Sequence, residues 1–382
     1  MPISRLPDFG LEVYFSKWEF VARHHLCASD VETLSIGELL NLSGASARDE
    51  FSSLPLGYIP TWGGTRLREA IAATSLHCGP DDVLAFAGAE EAMFWSLLAL
   101  LEPGDHAVVT VPNYQSMEEL ARASGADVTG LVLTPEDGWQ LSLEALHAQL
   151  RPNTRVVAVN FPNNPTGALP SREVFAELCE LCEGRGIRLF SDEVYRGLEL
   201  DPSRTLPLAA DLSKSAVSLG VMSKAYGLSG LRVGWVLCRD HALLERLERL
   251  KHYTSICNAG PSEYLATLAL ENREPILARN RGILSENLAL FDAFFSTWGP
   301  LFEWRHPDAG AVAFPRYCGP ESVDSFCEGL VRDTGVLFLP GTVYLSRCGT
   351  VPVNHFRVGL GRRNAGPALR AVDEYLSARN GG

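Results

Sequence analysis

The sequence predicts an α/β fold: a large domain with a mostly parallel seven-stranded sheet, and a second, smaller α/β domain. Three observations carry that. From Val83 to Cys238 seven short apolar runs alternate with helix-like stretches, the pattern of a parallel sheet covered on both faces. After Arg239 the chain turns helical, and only brief strand-like runs return towards its end. A length of 382 residues exceeds one simple core and points to about two domains.

The elements follow in order. Leu11 to Phe20 reads as a short amphipathic helix with Tyr14, Phe15 and Trp18 turned inward. Ser35, with Glu38 three residues on, is a capping box opening a helix through Leu42. Tyr58 to Gly64 is a breaker-rich turn before a helix from Leu67 to Ala73. Strands are expected at Val83–Ala87, Ala107–Val111, Val128–Leu133, Val156–Asn160, Ile187–Ser191, Ala216–Met222 and Val233–Cys238. Helices are expected at Glu91–Leu101, Met117–Ser124, Leu143–Leu150 and Arg172–Gly184, then at Ala242–Tyr253, Ser262–Glu271 and Pro275–Trp298. Short strands near Ala311–Phe314, Val336–Leu339 and His355–Val358 and a closing helix Ala365–Ser377 complete the chain. We expect an N-terminal arm (1–45) that joins the small domain, a large domain (46–280) and a small C-terminal domain (281–382).

Composition narrows the function. A formal net charge of −13 argues against a nucleic-acid surface, which needs a basic patch. No apolar run reaches membrane-spanning length, and Met1 to Arg5 open no apolar leader. Nine scattered cysteines read as reduced thiols in a cytoplasm rather than a disulfide framework.

The chemistry gathers at strand ends, where ligands of such sheets bind. Lys224, one of few lysines, follows an apolar strand and enters the glycine-rich Gly227 to Gly234 stretch, with Ser223 before it and Arg232 eight residues on. A lysine desolvated at a strand end becomes a usable nucleophile, although an ordinary surface lysine at a loop is the plain alternative. A Schiff-base lysine with a phosphate-binding arginine is what a pyridoxal 5′-phosphate (PLP) site needs. Gly88-Ala89-Glu90-Glu91-Ala92 runs from a strand end into a helix whose N–H groups suit a phosphate. Asn160 to Gly167 and Ser191 to Tyr195 occupy two more strand ends, with Asp192 placed to keep a pyridine nitrogen protonated. Arg357 suits a bidentate pair with a substrate carboxylate.

In that order, Asn-Asn-Pro-Thr-Gly, Asp-Glu-Val-Tyr and Ser-Lys with Gly-x-Arg-x-Gly closely resemble the class I/II aminotransferases, the fold type I PLP-dependent transferases. The resemblance implies a role for each matching residue. Lys224 forms the internal aldimine and shuttles protons, and Asp192 pairs with the ring nitrogen. Asn164 and Tyr195 bond the ring hydroxyl, and Tyr114 stacks on the ring. Arg232 holds the phosphate with Gly88, Ala89, Glu90 and Ser223, and Arg357 takes the substrate carboxylate. Tyr58 reaches the phosphate of a partner subunit, which implies a homodimer.

The departures point further. Ala89, Glu90 and Val221 stand where the family carries phosphate-binding hydroxyls, so the side chain of Glu90 is expected to turn away and leave only its N–H. Cys27 to Glu32 replaces the usual glycine-bearing stretch. With Ser35 to Leu39, Tyr253 to Ser255 and Gly310 to Arg316, it resembles capreomycidine synthases and enduracididine-forming cyclases. That resemblance implies dehydration and ring closure of a hydroxylated arginine through external aldimine and quinonoid chemistry. Asp30, Glu32 or Glu90 would then meet a cationic side chain. Ordinary transamination is the alternative. A non-catalytic effector-binding protein of aminotransferase type is a third reading, and it lacks room for a basic DNA-binding module ahead of Tyr58. Cys179 and Cys182 lie mid-helix and read as packing. His24 and His25 match no metal spacing. Gly359-Leu360-Gly361 has no dinucleotide-binding context.

Overall fold

The computed structural model describes residues 6–363 and 365–380; the N-terminal stretch Met1 to Arg5 lies outside the described residues. Seven strands form the main sheet: β1 (Val83–Phe86), β2 (His106–Val111), β3 (Asp127–Val132), β4 (Thr154–Asn160), β5 (Arg188–Asp192), β6 (Val217–Val221) and β7 (Gly234–Leu237). Their spatial order is β1-β7-β6-β5-β4-β2-β3. β7 pairs antiparallel with both β6 and β1, and the remaining pairs are parallel. β1 and β2 are buried along their whole length, as strands covered by helices on both faces must be.

Most helix expectations hold within two residues. The capping box at Ser35 is formed in full, and Arg172–Gly184 spans the expected residues. The first helix, Gly10–Trp18, differs in its inner face: Leu11 is its buried residue, whereas Tyr14, Phe15 and Trp18 are half-buried. All three aromatic residues still pack inward against an apolar cluster, and Tyr14 OH donates to Phe338 O at 3.1 Å.

A second, smaller layer comprises the antiparallel strands Val312–Ala313, Phe356–Gly359 and Leu339–Pro340. His24–His25 pairs in parallel with Val336–Leu337, so the N-terminal arm is stitched to this C-terminal part. The expected division at 280/281 falls inside one 25-residue helix, Arg273–Thr297. That helix serves both cores: Asn280 Nδ2 donates to Ala225 O at 2.8 Å and Asn287 Nδ2 to Leu360 O at 2.7 Å. Phe291, Phe295, Phe302, Phe326 and Phe356 pack against one another beneath the small layer. Cys179 and Cys182 are both buried, and all nine cysteines are free thiols.

Candidate active site

The carboxyl ends of β4, β5 and β6 open onto a cavity of about 460 Å³. Asn160 and Asp192, the last residues of β4 and β5, are paired in register. Asp192 is buried at 5 % exposure and accepts from Val194 N at 3.2 Å. Burial pushes its carboxyl up to about 7, against the pull of that N–H and of Lys224. A buried carboxyl of this kind suits a cationic partner.

Lys224 sits in the turn after β6, and its amine faces the cavity rather than bulk water. Its Nζ donates to Ser29 Oγ at 2.8 Å. Burial lowers its pKa, opposed by the nearby Asp30 and Asp192 carboxylates.

At one end of the cavity Gly88 caps the Ala89–Leu100 helix with φ 95°, and no side chain caps that helix. A Cβ on Gly88 would stand 2.7 Å from Arg232 Nη2, so glycine lets the guanidinium close over the helix start. Arg232 adopts a left-handed φ of 52° and donates to Ser229 O at 3.1 Å and Ser223 Oγ at 3.5 Å. Uncapped N–H groups, a guanidinium and the hydroxyls of Ser223 and Ser229 around one space fit a phosphate. Ala89 and Val221 line this end without side-chain donors. Glu90 also lines the cavity, and its carboxylate accepts from Ser116 Oγ. Desolvation raises its pKa, and Glu12 adds to the rise.

At the other end Arg357 is wholly buried. Its Nε and Nη2 donate to Cys27 O at 3.0 and 2.8 Å; its Nη1 donates to Tyr344 OH at 2.6 Å and Asn164 Oδ1 at 3.2 Å. Four of its five N–H groups are engaged, so one Nη2 N–H remains for a carboxylate instead of the expected bidentate fork. Asn164 Oδ1 also accepts from Tyr344 OH at 3.0 Å. Arginine only donates, so the amide orientation is fixed and Nδ2 is left for a ligand. Tyr195 donates its single O–H to Ser29 O at 2.9 Å. Tyr114 lines the wall between the two ends, beside Phe9.

The segment Leu26–Glu32 is strapped across this end. Gly359 N donates to Leu26 O at 2.7 Å, and Glu32 N donates to Gly361 O at 2.8 Å. Cβ atoms on Gly359 and Gly361 would stand 2.2 and 2.1 Å from Ala28 O and Asp30 O. The Gly-Leu-Gly pair therefore makes room for the strap. Asp30 lines the cavity and pairs with Arg362 at 2.8 Å. Glu32 does not line it: its carboxylate accepts from Arg363 N at 3.3 Å, on the outer side of the strap. Residues two apart in an extended segment share a face, so the separation of Asp30 from Glu32 comes from the bonds Glu32 makes to Gly361 O and Arg363 N. Tyr58 is 90 % exposed and does not reach this chain's cavity.

Sequence reasoning missed Ser29, Arg362, Glu12 and Glu19 on the cavity wall, and Tyr344 behind it, bonded to Arg357 and Asn164. Glu12 and Glu19 fall seven residues apart, on one helical face, which was the available signal.

Residues 31–365 match the aminotransferase class I and II family model. The chain belongs to that family. It is 33 % identical over 341 residues to a capreomycidine synthase of Streptomyces vinaceus, covering 89 % of this chain and 87 % of that protein. It is 31 % identical to the arginine–pyruvate transaminase AruH of Pseudomonas aeruginosa, covering 73 % and 70 %. Among solved structures it is similar to a PLP-dependent aminotransferase from Streptococcus suis (TM-score 0.91, 29 % identity, 98 % of each chain). It is also similar to the PLP-dependent cyclase OrfR (TM-score 0.88, 27 % identity, 98 % of each chain). This family member is an enzyme whose cofactor is pyridoxal 5′-phosphate. Among the described residues no helix is long and apolar enough to cross a membrane.

Proposed function

We propose that this enzyme dehydrates a hydroxylated, arginine-like L-α-amino acid and closes a ring by adding a guanidine nitrogen where the oxygen left. The observation that carries this reading is the charge layout of the cavity. Buried Arg357 marks one place for a carboxylate, while Glu12, Glu19 and Asp30 line the wall around it. Glu12 and Glu19 make no ion pair among the described residues, so they are available to a cationic side chain. The names of similar proteins, a capreomycidine synthase, an arginine transaminase and a PLP-dependent cyclase, support the same substrate class.

In this reading Arg232, Ser223, Ser229 and the N–H groups of Ala89 and Glu90 hold the cofactor phosphate. Asp192 would hold the ring nitrogen, Tyr114 would pack on the ring, and Asn164 and Tyr195 would serve its oxygen. Lys224 anchors the cofactor and becomes a free base when substrate binds. Bound PLP supplies a sink for the electrons released at Cα. Arg357 and Asn164 Nδ2 orient the α-carboxylate, which leaves the Cα proton to Lys224 Nζ. Ring closure replaces one C–O bond by one C–N bond and releases one water. That sum involves no oxidation or reduction, so no keto acid is required. Tyr58, exposed with Leu56 and Tyr253, belongs to a homodimer face and completes the phosphate site of a partner subunit.

Transamination of the same substrate class is the second reading, favoured by the aminotransferase relatives. The substrate class is tested by offering the PLP-loaded enzyme arginine, hydroxylated arginines and acidic or apolar amino acids, with and without a keto acid. Consumption of guanidino substrates above the others is expected. Preference for aspartate or valine would refute the assignment of Glu12 and Glu19.

A further inference from the structure

We propose that Ser29 is a positioning residue that holds Lys224 Nζ at the amino-acid end of the cavity, so that the proton taken from Cα is returned to the departing side-chain oxygen. The inference rests on the dehydrating reading above. Its geometric basis is independent of that reading. Ser29 Oγ accepts from Lys224 Nζ at 2.8 Å, and the carbonyl of Ser29 accepts from Tyr195 OH at 2.9 Å. Two residues earlier, Cys27 O takes both Nε and Nη2 of Arg357. One residue later, Asp30 is paired with Arg362. Ser29 is thus fixed from both sides, and its hydroxyl has little freedom to leave the amine.

The placement sets a direction. Arg232 and Ser223 mark the phosphate end, and Arg357 marks the carboxylate end. Lys224 Nζ has its hydrogen bond on the Arg357 side. Transamination requires this amine to carry the proton away from the substrate to a carbon of the cofactor. An amine tethered at Ser29 stays beside the substrate instead. There the Cα–H bond breaks and its proton goes to Nζ. The released electron pair forms a Cα–Cβ double bond as the Cβ–O bond breaks; the pair of that bond stays on oxygen, and Nζ returns a proton so that the oxygen leaves as water. Lys224 ends as the free amine it began as.

The test uses Ser29→Ala and Ser29→Thr in the PLP-loaded enzyme with a hydroxylated arginine and no keto acid, with products followed by mass spectrometry. Ser29→Ala should lose about tenfold in the rate of water loss, the effect of one hydrogen bond to a charged group. It should also accumulate keto acid and the amine form of the cofactor. Ser29→Thr should restore the parent partition. A second readout needs no cofactor: the pH dependence of Lys224 acetylation in the cofactor-free protein, read by peptide mass spectrometry. Removing the acceptor from the ammonium form should move its midpoint to lower pH. If Ser29→Ala folds poorly, Ser29→Cys keeps the volume with a weak acceptor and should give the same two changes. Parent-like partition together with an unmoved acetylation midpoint would overturn the proposal. Failure of the parent enzyme itself to release water would instead overturn the dehydrating reading, and the acetylation midpoint would still decide the Ser29–Lys224 contact.

Discussion

Replacing Gly359 by alanine tests how the strap is held over the active site. The added Cβ would stand 2.2 Å from Ala28 O and 2.9 Å from Ala28 N, both backbone atoms. Neither can rotate away, so Leu26–Glu32 has to lift. Overpacking of this kind costs about 1–3 kcal/mol. Loss of the Gly359 N to Leu26 O bond adds about 1 kcal/mol. The total of roughly 2–4 kcal/mol is a large share of the ~5–15 kcal/mol that keeps a domain folded. Lifting the strap also draws Ser29 from Lys224 and Cys27 from Arg357. Urea denaturation followed by circular dichroism should therefore show a clearly lower midpoint. Lys224 acetylation in the cofactor-free protein should change along with it. An unchanged midpoint and unchanged acetylation would show that Gly359 does not hold the strap and would refute this reasoning.

Four further outcomes follow from the site. Lys224→Ala should abolish the cofactor adduct that borohydride traps on the protein; a reducible adduct at another lysine would place the centre of the site elsewhere. In the cofactor-free protein, Asp192 and its neighbour Glu193 are both pushed up to about 7, each chiefly by burial. Their folded forms bind protons that the unfolded chain has already released, so they should make stability fall as pH rises from about 4 to 7, and Asp192→Asn with Glu193→Gln should flatten that slope in urea titrations. Glu12→Gln with Glu19→Gln should raise KM for a guanidino substrate about tenfold or more while leaving cofactor binding, read by absorbance titration, unchanged; equal KM values would remove these acids from the substrate site. Arg232→Ala should weaken PLP binding by about 30-fold or more, as loss of a charge-assisted phosphate contact requires, with little change in urea midpoint of the cofactor-free protein.

The sheet was legible because each of its strands is a short run of apolar residues bounded by breakers, and burial on both faces leaves no competing pattern. Lys224 and Asp192 were legible because charged residues just where apolar strands end stand out, and Arg357 because it is the one charge within the Phe356–Gly359 run. The acids were only partly so. Asp30 and Glu32 sit in one short segment, yet Glu32 N donates to Gly361 O and its carboxylate accepts from Arg363 N, away from the cavity that Asp30 lines. Glu12 was hidden among aromatic residues that dominated the reading of its helix. Tyr344 and Ser29 were beyond the sequence signal altogether, because their roles depend on contacts spanning 180 and 195 residues. Gly359 and Gly361 carried a visible motif whose purpose, room for the Ala28 and Asp30 carbonyls, appears only when the arm is folded back.

Dehydration with ring closure can be measured directly. The PLP-loaded enzyme is incubated with a hydroxylated arginine in the absence of any keto acid, and the products are weighed by mass spectrometry. The expected product is lighter than the substrate by one water and keeps its α-amino group, with turnover beyond one equivalent of enzyme. A reaction that stops after one equivalent, and resumes only when a keto acid is added, would contradict dehydration and return the enzyme to transamination.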